Sequence, residues 1–250
     1  MGALAHRRPP APLGRVGIGI DAHLRARLVR RYKRFLADVE TEDGRTLTVH
    51  CPNPGSMLGL DRPGAAVRCS ESDDPHRKLR HTLEMVRVGR TWVGVHTGRA
   101  NAVAARALSA QVLPALAGYA RLEREVRVGG GSRLDFRLSG HARDRRAAYV
   151  EVKSVTLAEG KLALFPDSVT ERGRRHLEAL MRLRRGGDRA VLLYLVQRAD
   201  CERVAPAERI DPDYAATLRA AARRGVEILA FGARVTARSI TVERSLPVSL

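Results

Sequence analysis

From Leu24 to Gly98, apolar and polar positions alternate in short runs broken by turn residues, with little helical period, and this predicts β-strands. Phe35 to Val39 and Thr46 to Val49 flank Glu42-Asp43-Gly44, where glycine supplies the positive φ of a tight hairpin turn. Further strands are expected at Ala66 to Ser70, Leu83 to Val88 and Thr91 to His96, the last two joined by Gly89-Arg90. Five short strands in roughly 75 residues have the size of an OB-like barrel.

From Asn101 the texture changes. Val103, Ala107, Leu108 and Val112 recur at helical spacing, with Gly118 as the expected stop. Strands follow at Glu123 to Val128, Arg133 to Leu138 and Ala148 to Thr156. Ser168 and Glu171 fit a capping box that opens a helix with Leu177, Leu180 and Met181 on one stripe, ending near Gly186-Gly187. Ala190 to Val196 is continuously apolar, as in a strand covered on both faces. Asp211-Pro212 starts another helix, Gly225 ends it, and Val226 to Phe231 is a further buried strand. The chain therefore divides into a tail over 1–19 that needs no fold, an OB-like β-barrel domain over 20–98, and a domain over 99–250 built on a mixed α/β sheet.

Charge narrows the function. The net charge is +18 and the pI about 11.2, which suits an anionic partner such as nucleic acid or an acidic membrane surface. Only four of the 45 cations are lysines, so part of the arginine content reflects coding bias, but the excess over acids stands. Cys51, Cys69 and Cys201 are odd in number and form no C-x-x-C pair, so a reduced, cytoplasmic setting is expected. Met1 to Pro12 carries Arg7 and Arg8 but no signal-peptide core, and no stretch approaches the ~20 apolar residues of a membrane span.

One constellation carries chemistry. Asp135 lies in one predicted strand, and Glu151 and Lys153 lie two apart on the next, so the acid and the lysine share a face. Oxygen ligands suit a hard cation, and Asp135 and Glu151 with a main-chain carbonyl near Val152 fit Mg²⁺, with Lys153 placed to orient a water or steady developing charge. The plain alternative is a solvated hairpin face whose cross-strand charge pairs are each worth about 0.2–1 kcal/mol. Spacing alone does not separate the two.

Two basic clusters stand near aromatic or site residues. Arg30, Arg31, Lys33 and Arg34, preceded by Arg25 and Arg27, surround Tyr32 and Phe35, as a phosphate-tracking face with a stacking aromatic would. Arg172, Arg175 and Arg182 fall near one face of the helix after Phe165-Pro166-Asp167, with a rationale for phosphate contact. For both, the alternative is solvated charge. Cys51 to Met57 reads as a turn-rich loop, and His50-Cys51 lacks the further ligands of a zinc site. Gly129-Gly-Gly-Ser132 lacks the ending of a phosphate loop, and no G-x-S-x-G elbow is present.

Five collinear segments, Arg31 to Asp38, Cys51 to Met57, Ser132 to Phe136, Tyr149 to Lys153 and Phe165 to Gly173, closely resemble the sugar fermentation stimulation protein A family. The resemblance runs from about Leu24 to the C-terminus. It implies an OB-like domain followed by a PD-(D/E)xK nuclease-like domain of restriction-endonuclease type, with Asp135, Glu151 and Lys153 at the signature positions. It further implies sequence-independent DNA binding and a role in regulating sugar, particularly maltose, metabolism. Two departures stand out: Leu134-Asp135 replaces Pro-Asp, and residues 101–118 hold no acid where nuclease relatives often place one, leaving Glu123 or Glu125 as substitutes. The expected function is non-specific DNA binding, with a Mg²⁺-dependent phosphodiesterase as the alternative and RNA as a lesser candidate partner.

Overall fold

Short strands with one apolar face bury it most completely by closing into a barrel. The computed structural model describes residues 16–250. After β1 (Val16–Gly19) come β2 (Leu24–Tyr32), β3 (Leu36–Thr41), β4 (Thr46–His50), β5 (Ala66–Glu71), β6 (His81–Val88) and β7 (Thr91–Gly94). The last six pair in the order β4-β3-β2-β5-β6-β7, and a parallel bridge between His50 and Thr82 joins β4 to β6. That bridge closes β2 to β6 into a five-stranded barrel, with β7 as a hairpin partner of β6. Leu28, Val39, Val49, Val67, Leu83 and Val86 fill its interior. The long strand β2 is additional to the five expected, because its inward Ala26 and Leu28 are interleaved with arginines that read as a charge cluster.

The second unit comprises α1 (Thr97–Ser109), β8 (Arg121–Val128), β9 (Ser132–Ser139), β10 (Ala148–Val155), β11 (Leu157–Glu159), β12 (Leu162–Phe165), α2 (Glu171–Arg185), β13 (Arg189–Val196), β14 (Arg203–Pro206), α3 (Pro212–Arg223), β15 (Glu227–Val235) and β16 (Ser239–Ser245). A seven-stranded sheet runs β1-β16-β15-β13-β10-β9-β8, with β10, β13 and β15 parallel at its centre. α1 packs on one face around Phe136, Val150, Val152 and Leu193. α2 and α3 cover the other around Leu177, Leu180, Tyr194 and Leu218. A small sheet, β11-β12-β14, lies beside this.

Three expectations shift. Val16–Gly19, assigned to the unfolded tail, pairs antiparallel with β16 as an edge strand, and residues 1–15 lie outside the described residues. Gly17 suits that edge because a Cβ there would overlap the Ile240 carbonyl. α1 begins at Thr97 and ends at Ser109, before Pro114, whose missing N–H and ring bar a continuing helix; Gly118 instead follows a short 3₁₀ turn over Pro114–Leu116. α2 is capped by Thr170, not Ser168: the Thr170 hydroxyl accepts from the Gly173 N–H at 3.0 Å, and the Thr170 N–H is held by Asp211 at 2.8 Å.

The barrel is fixed to the second unit. Met85 of β6 enters the packing under α1, Glu84 pairs with Arg99 of α1 at 2.7 Å in a buried setting, and the Gly94 N–H donates to the Gln197 carbonyl at 2.9 Å. Among the described residues no helix is long and apolar enough to cross a membrane.

Candidate functional site

The sheet opens where Asp135 lies. β9 pairs with β10 from Leu138↔Ala148 to Phe136↔Val150 and then stops, while the β8–β9 ladder omits the Glu125–Asp135 pair, Glu125 having φ 55°. In place of a ladder carbonyl, Asp135 Oδ2 accepts the Val152 N–H at 2.7 Å. The carboxylate is thus wedged between two strands and carried to the end of the parallel sheet, where ligands of open α/β sheets collect.

Glu151, on the central strand β10, is only 3% exposed. Lys153 Nζ donates to Glu151 Oε1 at 2.7 Å, so the expected pair on one strand face forms. His176 of α2 donates through Nδ1 to the same oxygen and lies 3.2 Å from Lys153 Nζ. Glu151 Oε2 is buried with no hydrogen-bond partner. From α1, which holds no acid, Asn101 Nδ2 donates to Asp135 Oδ1 at 2.6 Å. Glu123 and Glu125 do not substitute: they face outward in ion pairs with Arg137 and Arg133, both 2.7 Å.

The two carboxylates sit in different electrostatic settings. Burial and the facing Glu151 charge push the Asp135 carboxyl up to about 6, against the opposing pull of the Val152 N–H, Lys153 and Asn101. Burial also works against ionised Glu151, but Lys153 and His176 together outweigh it and hold its carboxyl below the ordinary value. One acid is therefore ionised by its neighbours while the other stays poised near neutrality. Among the described residues no three His, Cys, Asp or Glu side chains form a closed metal cage, so any cation here needs oxygens from the main chain, water or a ligand.

The site sits in a cleft of about 570 Å³ whose far wall is the barrel. The Cys51 to Met57 loop supplies that wall. Arg31 turns inward and donates to the carbonyls of Arg34, Asn53, Gly55 and Ser56 at 2.8–3.1 Å. Asp167 grips the loop from the second unit: its Oδ2 accepts the Met57 N–H at 3.0 Å, and a Cβ on Gly55 would overlap its carboxylate. The loop is a strut between domains, not a free turn.

The basic clusters divide on inspection. Arg31 clamps the loop. Arg30 is tied to Asp38 at 2.8 Å and stacks over Tyr32 at 4.7 Å, while the Tyr32 hydroxyl donates to Asp38 at 3.0 Å. All three, expected to meet nucleic acid, have partners within the fold, and Arg30 stays exposed beside its own. Lys33 and Arg34 form a left-handed turn, with φ 47° and 63°, that leaves both exposed and directs Arg34 to the cleft. Arg172 lines the opposite lip; Arg175 is exposed but outside the cleft wall, and Arg182 reaches the Gly129 carbonyl at 3.3 Å.

Known proteins give this cleft its relatives. The family pattern described as SfsA N-terminal OB domain matches residues 29–95, and that described as Sugar fermentation stimulation protein RE domain matches residues 98–239. The Sugar fermentation stimulation protein homolog of Halorhodospira halophila is 56% identical over 226 residues, covering 89% of this chain and 94% of the relative. The chain belongs to the sugar fermentation stimulation protein family. The homolog from Rhodospirillum centenum is 51% identical over 225 residues, covering 90% of this chain and 96% of that one. Pyrococcus furiosus SfsA, solved in complex with Ca²⁺, matches with a TM-score of 0.83 and 26% identity, over 98% of this chain and all of that one.

Proposed function

We propose that this member of the sugar fermentation stimulation family binds DNA without sequence preference, and that its cleft seats a backbone phosphate against a divalent cation, Mg²⁺ in the cell, held by Asp135 and Glu151. The observation that carries the reading is Glu151 Oε2, a buried carboxylate oxygen without a partner, beside a second carboxylate pushed up to about 6. A divalent cation removes both costs at once. The Ca²⁺ in the Pyrococcus furiosus relative supports a hard cation in this fold. Arg34 and Arg172 on the two lips supply phosphate contacts that read charge and not sequence. A cytoplasmic setting fits three cysteines that are all buried and unpaired. A part in sugar metabolism rests on the name that the relatives carry.

A second reading, phosphodiester hydrolysis, is favoured by Lys153. Its ammonium is fixed against Glu151 on a strand that cannot shift without breaking the sheet. There it can orient an attacking water and balance charge on the phosphoryl group. His176 holds Glu151 in position and ionised. A bound cation would polarise the phosphoryl group and lower the pKa of a bound water.

The test uses purified wild type and Glu151→Gln on duplex, single-stranded and structured DNA and RNA, with Mg²⁺, Mn²⁺ or EDTA. DNA binding by both proteins, weakening with salt at a log–log slope of about 0.9 per phosphate neutralised, supports the binding reading. Cutting by the wild type that Glu151→Gln abolishes establishes the second reading. Salt-independent affinity overturns the first, and equal cutting by both proteins assigns cleavage to a contaminant.

A further inference from the structure

At the opposite end of β2 from the cleft, the outer face of the barrel gathers Arg25, Arg27, Arg68, Arg87 and Trp92. Strand register puts them together: Arg25 lies across from Arg68, Arg87 across from Trp92, and Arg68 across from Met85, two residues from Arg87. Like charges directly opposed, as at Arg25 and Arg68, destabilise a sheet unless something anionic lies over them. The side chains line a groove of about 500 Å³.

Arg68 and Arg87 each lie over the Trp92 ring at 5.9 Å. Their hydrogen bonds go to the main-chain carbonyls of His23 and Gly89, at 3.3 and 3.2 Å, and among the described residues neither has a carboxylate partner. The acids lining the groove are Glu40 and Glu42, and the latter reaches Arg25 only at 4.0 Å. Four guanidinium groups against two carboxylates leave the groove positive around an indole.

We infer that this groove is a binding site for single-stranded DNA, independent of the cleft. Phosphates meet the arginines, and a splayed base stacks on the Trp92 and guanidinium planes. A duplex satisfies the charge but hides its base faces, and an acidic peptide leaves the aromatic pile unused. From Arg27 to Tyr32 the strand covers about 17 Å, with Arg34 in the turn beyond it, so groove and cleft engage separate stretches of nucleic acid.

Trp92 is the chain's single tryptophan, partly buried with one side on the core beneath α1 and lining this groove, so its fluorescence reports this part of the barrel. The full chain is titrated with an oligo-dT of about 12 nucleotides, and variants are followed by anisotropy of the labelled oligonucleotide. Saturable quenching of Trp92 is expected. Arg68→Ser with Arg87→Ser should weaken oligo-dT binding roughly tenfold and lower the salt slope by about 1.4, with duplex binding unchanged. Trp92→Leu should cost about tenfold in oligo-dT affinity. If Trp92→Leu fails to fold, the quenching and the arginine variants carry the test. Arg34→Ser with Arg172→Ser should leave the quenching intact; loss of duplex binding in that variant, with quenching kept, concerns the cleft alone. Unchanged Trp92 fluorescence, oligo-dT binding lost only in the cleft variant, displacement by polyglutamate as readily as by oligo-dT, or tighter binding of oligo-U would each overturn the inference.

Discussion

Asp135→Asn tests whether the cleft is short of a cation. Burial and the Glu151 charge raise the Asp135 carboxyl to about 6, from an unfolded value of 3.8. The folded state therefore binds a proton more tightly than the unfolded chain between about pH 4 and 6. Stability falls as pH rises through that window, and the full cost is present above it. That rise corresponds to about 3 kcal/mol at neutral pH, an upper bound that local relaxation reduces. Asparagine keeps the acceptor for the Val152 N–H and removes the charge. In EDTA at pH 7 the variant should therefore be more stable than wild type, with Tm raised by about 3–8 °C, while near pH 4 the two should converge. Mg²⁺ at 100 times its dissociation constant should stabilise wild type by about 2.7 kcal/mol and the variant far less. Thermal unfolding at both pH values, with EDTA or Mg²⁺, reads all of this. A variant less stable than wild type at pH 7 in EDTA, or one stabilised equally by Mg²⁺, would refute the reasoning.

The two neighbouring arginines should separate by role. Arg31→Ala removes the clamp on four carbonyls and should cost about 2 kcal/mol or more in denaturant unfolding, whereas Arg34→Ala should leave stability unchanged and lower the salt slope of duplex binding by about 0.9. Gly55→Ala forces a Cβ into the Asp167 carboxylate and should lower stability by about 1–3 kcal/mol, with weaker DNA binding because the barrel wall of the cleft shifts; calorimetry and anisotropy check the two effects. In EDTA, with no cation to bridge them, Glu151→Gln should retain or strengthen DNA binding, since a carboxylate facing phosphate is lost, and a large loss in a gel-shift titration under those conditions would count against phosphate at this site.

Much of the site was legible because strand alternation is local. Glu151 and Lys153 share a face by their spacing, and Asp135 joins them through the adjacent strand. Asn101 and His176 gave no signal, since the fold brings them from 34 and 25 residues away to Asp135 and Glu151. The basic cluster was visible as charge, but charge does not reveal partners: Asp38 and the loop carbonyls that Arg30, Arg31 and Tyr32 touch are contacts made only in the fold. β1 escaped notice because its pairing partner β16 lies at the far end of the chain. The three-residue strand β11 and the four-residue strands β12 and β14 of the same small sheet are too short for a period to show.

The most direct measurement is a crystal of this protein grown with Mn²⁺ and examined by anomalous diffraction. A peak within bonding distance of both the Asp135 and Glu151 carboxylates, absent in Glu151→Gln, is the predicted result. A cleft without a peak in fully Mn²⁺-loaded crystals, or a peak bound by neither carboxylate, would contradict the cation site on which the account rests.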